Sequence, residues 1–78
     1  MKKHKVIVYS TPTCLYCVYA KNYLKENNVV FEDVNVAVDR VRAQEMVMKS
    51  GQMGVPVIDI DGNIVVGFQP DKLDSLLD

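Results

Sequence analysis

The sequence predicts an α/β fold in which a four-stranded mixed sheet is flanked by three helices, in the order β-α-β-α-β-β-α. Three observations carry that prediction. Short apolar runs rich in β-branched residues (Val6-Ile7-Val8-Tyr9, Val57-Ile58-Asp59-Ile60 and Asn63-Ile64-Val65-Val66) are set among stretches of helical period. Asp61-Gly62, between the last two runs, is a tight-turn signal that makes those strands an antiparallel hairpin. A helical crossover separates the first two strands, which makes them parallel.

Val6 to Tyr9 is a continuous run, the pattern of a strand buried on both faces. Ser10-Thr11-Pro12-Thr13 breaks it with turn and capping residues. From Cys14 to Asn27 the pattern is helical: Leu15, Val18, Tyr19, Tyr23 and Leu24 crowd one side, with Lys21, Asn22, Lys25 and Glu26 on the other. Asn27-Asn28 marks the stop, because asparagine tolerates the left-handed conformation at a helix end. Phe31 to Val36 alternates apolar and polar residues imperfectly, which suits a less buried strand.

Asp39 is the expected N-cap of a second helix running to Ser50, with Ala43, Met46 and Val47 facing inward. Gly51 stands where a C′ glycine belongs, and Arg40, Arg42, Glu45 and Lys49 read as a solvated helix face. After Gly67-Phe68, Pro70 belongs to the first turn of a last helix, whose Leu73, Leu76 and Leu77 form an i, i+3, i+4 stripe. A helix that short persists only when docked on the sheet.

With 78 residues, the stretch 1–78 is read as a single domain near the lower size limit for a self-sufficient core. Hydrophobic residues at 49% and charged residues at 24% give a globular composition, not a disordered one. A formal net charge of -1 supplies no global pull toward nucleic acid. Lys2, Lys3 and Lys5 read as a solvated N-terminus, since the apolar run behind them is too short for a signal peptide. No segment approaches the length of a membrane span. The expectation is a cytoplasmic monomer without nucleic-acid or membrane partners.

The chemistry lies in Cys14-Leu15-Tyr16-Cys17, a C-x-x-C at the junction of a buried strand and an amphipathic helix. A cysteine at a helix N-terminus faces unpaired backbone N–H groups and the positive end of the helix dipole, which favour thiolate over thiol. Thiolate is the attacking species in disulfide exchange. Cys14 is expected at the exposed tip and Cys17 one turn deeper. Cys14 would then attack a disulfide, and Cys17 would displace the resulting mixed disulfide. The same pair also fits half of a zinc site, but zinc takes about four protein ligands. Only His4 remains as an imidazole donor, at the strand start, where it is expected to be exposed. Met46 and Met48 read as gap-fillers, Met53 as a candidate border of a substrate groove, and Tyr19 and Tyr23 as packing.

Three segments in order, Tyr9-Ser10-Thr11-Pro12-Thr13-Cys14-Leu15-Tyr16-Cys17, Gly54-Val55-Pro56 and Val66-Gly67-Phe68, carry a resemblance that spans nearly the whole chain. The sequence resembles the glutaredoxins and their relatives within the thioredoxin superfamily, the glutaredoxin-like electron donors of ribonucleotide reductase. That resemblance implies a thioredoxin-like fold, with Cys14 as nucleophile, Cys17 as resolving thiol and Tyr16 in the active-site wall. It further implies that Thr11, Val55, Pro56, Gly67 and Phe68 border the substrate. Read from its own residues, Pro56 is an ordinary trans proline opening a strand; the resemblance instead implies a cis Val55–Pro56 bond that sets the Val55 backbone beside Cys14. No bound cofactor is implied. Electrons would come from glutathione or from a flavoprotein of the thioredoxin-reductase type, and would pass to disulfide-containing proteins, ribonucleotide reductase among them.

Departures from the pattern are informative. Leu15 replaces the proline of Cys-Pro-Tyr-Cys, so the redox potential does not carry over. Thr11 replaces a lysine, Val66-Gly67 a Gly-Gly pair, and Gln69 an acidic residue, three changes that weaken glutathione contacts. Gly67-Phe68-Gln69-Pro70-Asp71 looks closer to the reductase-donor branch. The chain is not thioredoxin proper: it lacks Trp-Cys-Gly-Pro-Cys, and Val8 occupies the place of a buried aspartate. The function expected is reduction of protein disulfides or glutathione mixed disulfides by dithiol exchange. The alternative is a glutathione-dependent iron–sulfur cluster module, against which the weakened glutathione contacts count.

Overall fold

A computed structural model describes residues 4–77, so Lys2 and Lys3 of the expected solvated N-terminus lie outside the described residues. The elements are β1 (Val6–Ser10), α1 (Leu15–Glu26), β2 (Glu32–Asn35), α2 (Arg40–Ser50), β3 (Val57–Ile60), β4 (Asn63–Val66) and α3 (Pro70–Leu77). The sheet runs β2-β1-β3-β4, with β1 parallel to β2 and the other pairs antiparallel, as the crossover and the hairpin signal require. Among the described residues no helix is long and apolar enough to cross a membrane.

All five residues of β1 are buried, because helices cover both faces of the sheet. Strand alternation then splits the core in two. Val6 and Val8 join Ala20, Leu24, Ile58, Ile60, Val65 and Leu73 in one layer; Ile7 and Tyr9 join Val34, Met46 and Val57 in the other. The hairpin turn places Asp61 at φ +53° and Gly62 at φ +91°, the pair of left-handed residues that a type I′ turn demands. Both ends of α2 are closed as expected: Asp39 Oδ1 accepts from the Arg42 N–H at 3.1 Å, and Gly51, at φ +76°, donates to the Val47 carbonyl at 2.7 Å.

Expectations for α1, for His4 and for α2 need correction; on α2, Met46 is buried but Met48 is 87% exposed and fills no gap. In α1 the inward residues are Cys17, Ala20 and Leu24, whereas Leu15, Val18 and Tyr19 lie exposed and Tyr23 is half-buried. Small Ala20 forms the seam at i, i+3, i+7, so the larger apolar residues fall outside it. His4 is not free in solvent: Nδ1 lies 2.6 Å from Asp61 Oδ2 and Nε2 lies 3.0 Å from the Leu77 carbonyl. Lys5 N–H donates to the other Asp61 oxygen at 2.8 Å, so one carboxylate ties the start of β1 to the hairpin turn.

The polar side of α2 is the third correction. Arg42, Glu45 and Lys49 close over the sheet instead of pointing away from it. Lys49 Nζ donates to Asp59 Oδ2 at 2.7 Å and to the Tyr9 hydroxyl at 2.9 Å, and that hydroxyl donates to Glu45. Arg42 reaches both oxygens of Glu32 on β2, at 2.8 and 3.3 Å, and Glu45 at 3.1 Å. The network satisfies two buried side chains, Tyr9 on β1 and Asp59 on β3, that would otherwise bring polar atoms into an apolar layer. It fixes α2 against three strands.

Removing the Tyr9 hydroxyl leaves Lys49 and Glu45 each one partner short, so Tyr9→Phe is expected to cost about 1–3 kcal/mol by denaturant unfolding. The Tyr9 hydroxyl first, with Arg42 and Lys49 adding, holds the Glu45 carboxyl below its usual range, and the Arg42 guanidinium does the same for Glu32. Carboxyls lowered by folding stabilise above their ordinary titration range, and that contribution is lost as pH falls through the lowered values. The thermal midpoint is therefore expected to hold from neutral pH down to the ordinary carboxylate range, then drop, with a shallower drop in Glu45→Gln.

Candidate active site

The carboxyl end of β1 opens the site. Thr11, Pro12 and Thr13 turn the chain so that the Cys14 N–H bonds the Thr11 carbonyl at 3.3 Å. Cys14 then takes an extended conformation, φ −91° and ψ 111°, and becomes the N-cap of α1. Its carbonyl accepts the first helical bond, from the Val18 N–H at 3.3 Å. Its sulfur takes the place of the oxygen that usually caps a helix: the Cys17 N–H points at Cys14 Sγ at 3.1 Å. One of the helix's unpaired donors is thus aimed at the sulfur.

The two thiols differ sharply. Both are free; Cys14 is half-buried and Cys17 is wholly buried in the fold. Burial, followed by the hydrogen bond to Cys14, pushes the Cys17 thiol up to about 12. Cys17 therefore stays protonated at neutral pH, a stored thiol one turn below the accessible one.

The opposite wall comes from the loop before β3. The Val55–Pro56 bond is cis, and the Val55 carbonyl lies 3.8 Å from Cys14 Sγ. Pro56 is buried and its carbonyl accepts from the Gly67 N–H at 2.8 Å. Gly67 sits at φ +80°, a conformation that glycine adopts without strain. Thr11, Val55, Pro56 and Gly67 are in this way linked to Cys14 by two backbone hydrogen bonds and the contact of its sulfur with the Val55 carbonyl. Phe68 follows and packs against Tyr19 at 6.4 Å and Tyr23 at 6.0 Å between ring centroids. Tyr16 stands outward, 62% exposed, with its ring edge-on to Tyr19 at 5.9 Å.

Tyr19 belongs to this surface although its position on the helix reads as packing. Leu15, Tyr16, Val18 and Tyr19 together form an exposed apolar rim beside Cys14. The signal for it in the sequence is excess: α1 has more large apolar residues than one buried face can hold. Gln69 folds back, its Nε2 donating to the Val66 carbonyl at 2.6 Å. Met53 is exposed on the loop two residues before Val55 and shares an apolar hollow of about 350 Å³ with Ala43, Gln44, Val47 and Met48. His4 lies at the other end of β1 from the cysteines. Among the described residues no group of three or more His, Cys, Asp or Glu side chains comes together to hold a metal ion.

The glutaredoxin family profile matches residues 6–65. A glutaredoxin-like 8.6 kDa protein of the rubredoxin operon of Clostridium pasteurianum is 54% identical over 71 residues, covering 91% of this chain and 95% of that one. The solved structure of the thioredoxin-like protein BC3987 is 38% identical with a TM-score of 0.87, over 92% of this chain and 99% of its own. The glutaredoxin-like NrdH-redoxin of Escherichia coli, whose structure was solved to explain a thioredoxin-like activity profile, is 27% identical with a TM-score of 0.78, over 92% of this chain and 93% of its own. These neighbours share the thioredoxin-like fold.

The contrast between the two thiols has a direct readout. Brief treatment of the reduced, folded protein with iodoacetamide at neutral pH is expected to label Cys14 alone, whereas both cysteines label in denaturant. Mass spectrometry of the digested protein reports the sites, and equal labelling in the folded state would contradict the burial of Cys17.

Proposed function

The chain belongs to the glutaredoxin family, whose members are thiol–disulfide oxidoreductases, and on that premise we propose that it is a dithiol carrier for protein disulfides. The observation that carries this reading is the helix start, where the accessible sulfur of Cys14 accepts the Cys17 N–H while the Cys17 thiol waits buried behind it. Cys14 attacks a substrate sulfur, forming a mixed disulfide and releasing one thiol. Cys17 then attacks Cys14 Sγ, closing the Cys14–Cys17 disulfide and releasing the second thiol. Two electrons leave the dithiol and reduce the substrate. An extended substrate segment would pair with the Val55 backbone beside Cys14, with Thr11, Pro56, Gly67 and Phe68 bordering it and Tyr16 at its edge.

A flavoprotein of the thioredoxin-reductase type is the preferred electron donor, with glutathione second. Three features support that order. The rim beside Cys14 is apolar and exposed, which suits a protein surface better than a small charged tripeptide. Thr11 and Val66 supply no charge, and the Gln69 amide is already engaged with the Val66 carbonyl. The thioredoxin-like activity profile of the Escherichia coli NrdH-redoxin fits the same choice. Ribonucleotide reductase is a fitting substrate by that likeness, and the working context is a cytoplasmic monomer.

Replacement of each cysteine separates the roles: Cys14→Ser is expected to abolish turnover, and Cys17→Ser to accumulate a mixed disulfide with its partner. Equal residual activity in the two variants would refute the assignment. The donor is read by oxidising the protein and following its reduction by NADPH with thioredoxin reductase, and separately by glutathione. Reduction by the flavoprotein is expected to be the faster, and the reverse order would make glutathione the donor.

A further inference from the structure

The second half of the exchange asks Cys17 to surrender a proton inside the fold. Burial opposes that loss, because an anion in apolar surroundings lacks the solvation it has in water. The helix start that serves Cys14 does not serve Cys17 in the same way, since Cys17 lies inside the first turn and its own N–H is spent on Cys14 Sγ.

One cation follows it on the same face of α1. Lys21 follows Cys17 by four residues on α1, the spacing at which helix side chains are neighbours, about 5–6 Å apart at Cβ. Lys21 is anchored: its Nζ donates to Asp33 Oδ2 at 3.0 Å, and the other carboxylate oxygen, Oδ1, accepts from the Ser10 hydroxyl at 3.0 Å. Ser10 is buried, and Asp33 pairs in register with Val8 on the side of the sheet that faces α1. The ammonium is thus held from the sheet against the helix turn below Cys17, with its side chain only 22% exposed.

We infer that Lys21, anchored by Asp33 and Ser10, is a positioning residue for the second half of the exchange, its ammonium stabilising the Cys17 thiolate that closes the Cys14–Cys17 disulfide. The inference rests on the assignment of Cys17 as the resolving thiol. In that step Cys17 loses its proton to solvent, and its thiolate forms a bond to Cys14 Sγ. The bond from Cys14 Sγ to the substrate sulfur breaks, and the departing thiolate takes up a proton. Cys14 raises Cys17, whereas the Thr11 backbone and the Lys21 charge pull the other way, and Asp33 fixes where that charge sits. In the mixed disulfide the Cys14 sulfur is neutral, so what opposes burial at that moment is the Thr11 backbone and Lys21.

A chromogenic aromatic disulfide separates the two halves by stopped flow: one coloured thiolate is released when Cys14 attacks and a second when Cys17 resolves. In Lys21→Met the first release is expected to keep its rate within about twofold. The second should slow roughly threefold, because a loss of about one pKa unit of stabilisation cuts the thiolate tenfold while raising its nucleophilicity about threefold. Lys21→Arg, which keeps the charge, should restore the second rate. An unchanged second release in Lys21→Met, a parallel slowing of both releases, or no rescue by arginine would overturn the inference. Cys17→Ser should give the first release alone; a second release there would overturn the assignment of Cys17 itself, and the role of Lys21 with it.

Discussion

The site depends on one hydrogen bond, from the Cys17 N–H to Cys14 Sγ. It makes a sulfur the cap of α1, so the helix cannot begin without aiming a backbone donor at the reactive atom. The same bond fixes the order of the two thiols, one at the mouth of the fold and one within it. Cooperation between them therefore starts from helix geometry, which sets the two sulfurs one turn apart. The position of the cap is in turn set by β1, whose burial on both faces leaves the strand no freedom to shift.

The second wall of the site is held by different physics. Its loop hangs between α2 and β3, and α2 is held to the sheet by Met46 and Val47 in the apolar cluster together with ion pairs along its rim. Lys49 bridges Asp59 and Tyr9, and Arg42 bridges Glu32 and Glu45. The loop itself is stitched by short bonds: the Ser50 hydroxyl to the Gln52 backbone, and the Gln52 amide to the Gly54 carbonyl at 3.0 Å. One layer of the molecule is thus purely apolar, and the other adds a paired polar network to the rim of its apolar cluster.

What was legible in the sequence was mostly local. Asp39 and Gly51 close α2, Asp61-Gly62 closes the hairpin, and the uninterrupted run at β1 is buried on both sides, because each signal acts within a few residues of its effect. The C-x-x-C fell at the strand–helix junction for the same reason. The cis Val55–Pro56 bond was legible only through family resemblance, since the residues alone favour trans. What was hidden depends on distant partners. His4 finds acceptors 57 and 73 residues away. Arg42, Glu45 and Lys49 have the spacing of a solvated face, and only the arrival of Tyr9, Glu32 and Asp59 beneath them turns that face inward. In α1 the large apolar residues outline a face wider than the seam, and only the arrival of the sheet against small Ala20 shows where helix and strand come close.

The strand order has a consequence for how the protein behaves at high concentration. With β1 and β3 central, the two rims of the sheet are β2 and β4, each four residues long. An unpaired rim is a template for adding a strand from another molecule. At β2 that template is blunted by Glu32 and Asp33, whose carboxylates are tethered to Arg42 and Lys21. At β4 it is shortened by the tight turn on one side and by Gly67 on the other. A pair of short rims, one of them charged, gives neighbouring copies little backbone to extend, and so guards a very small fold against edge-to-edge aggregation.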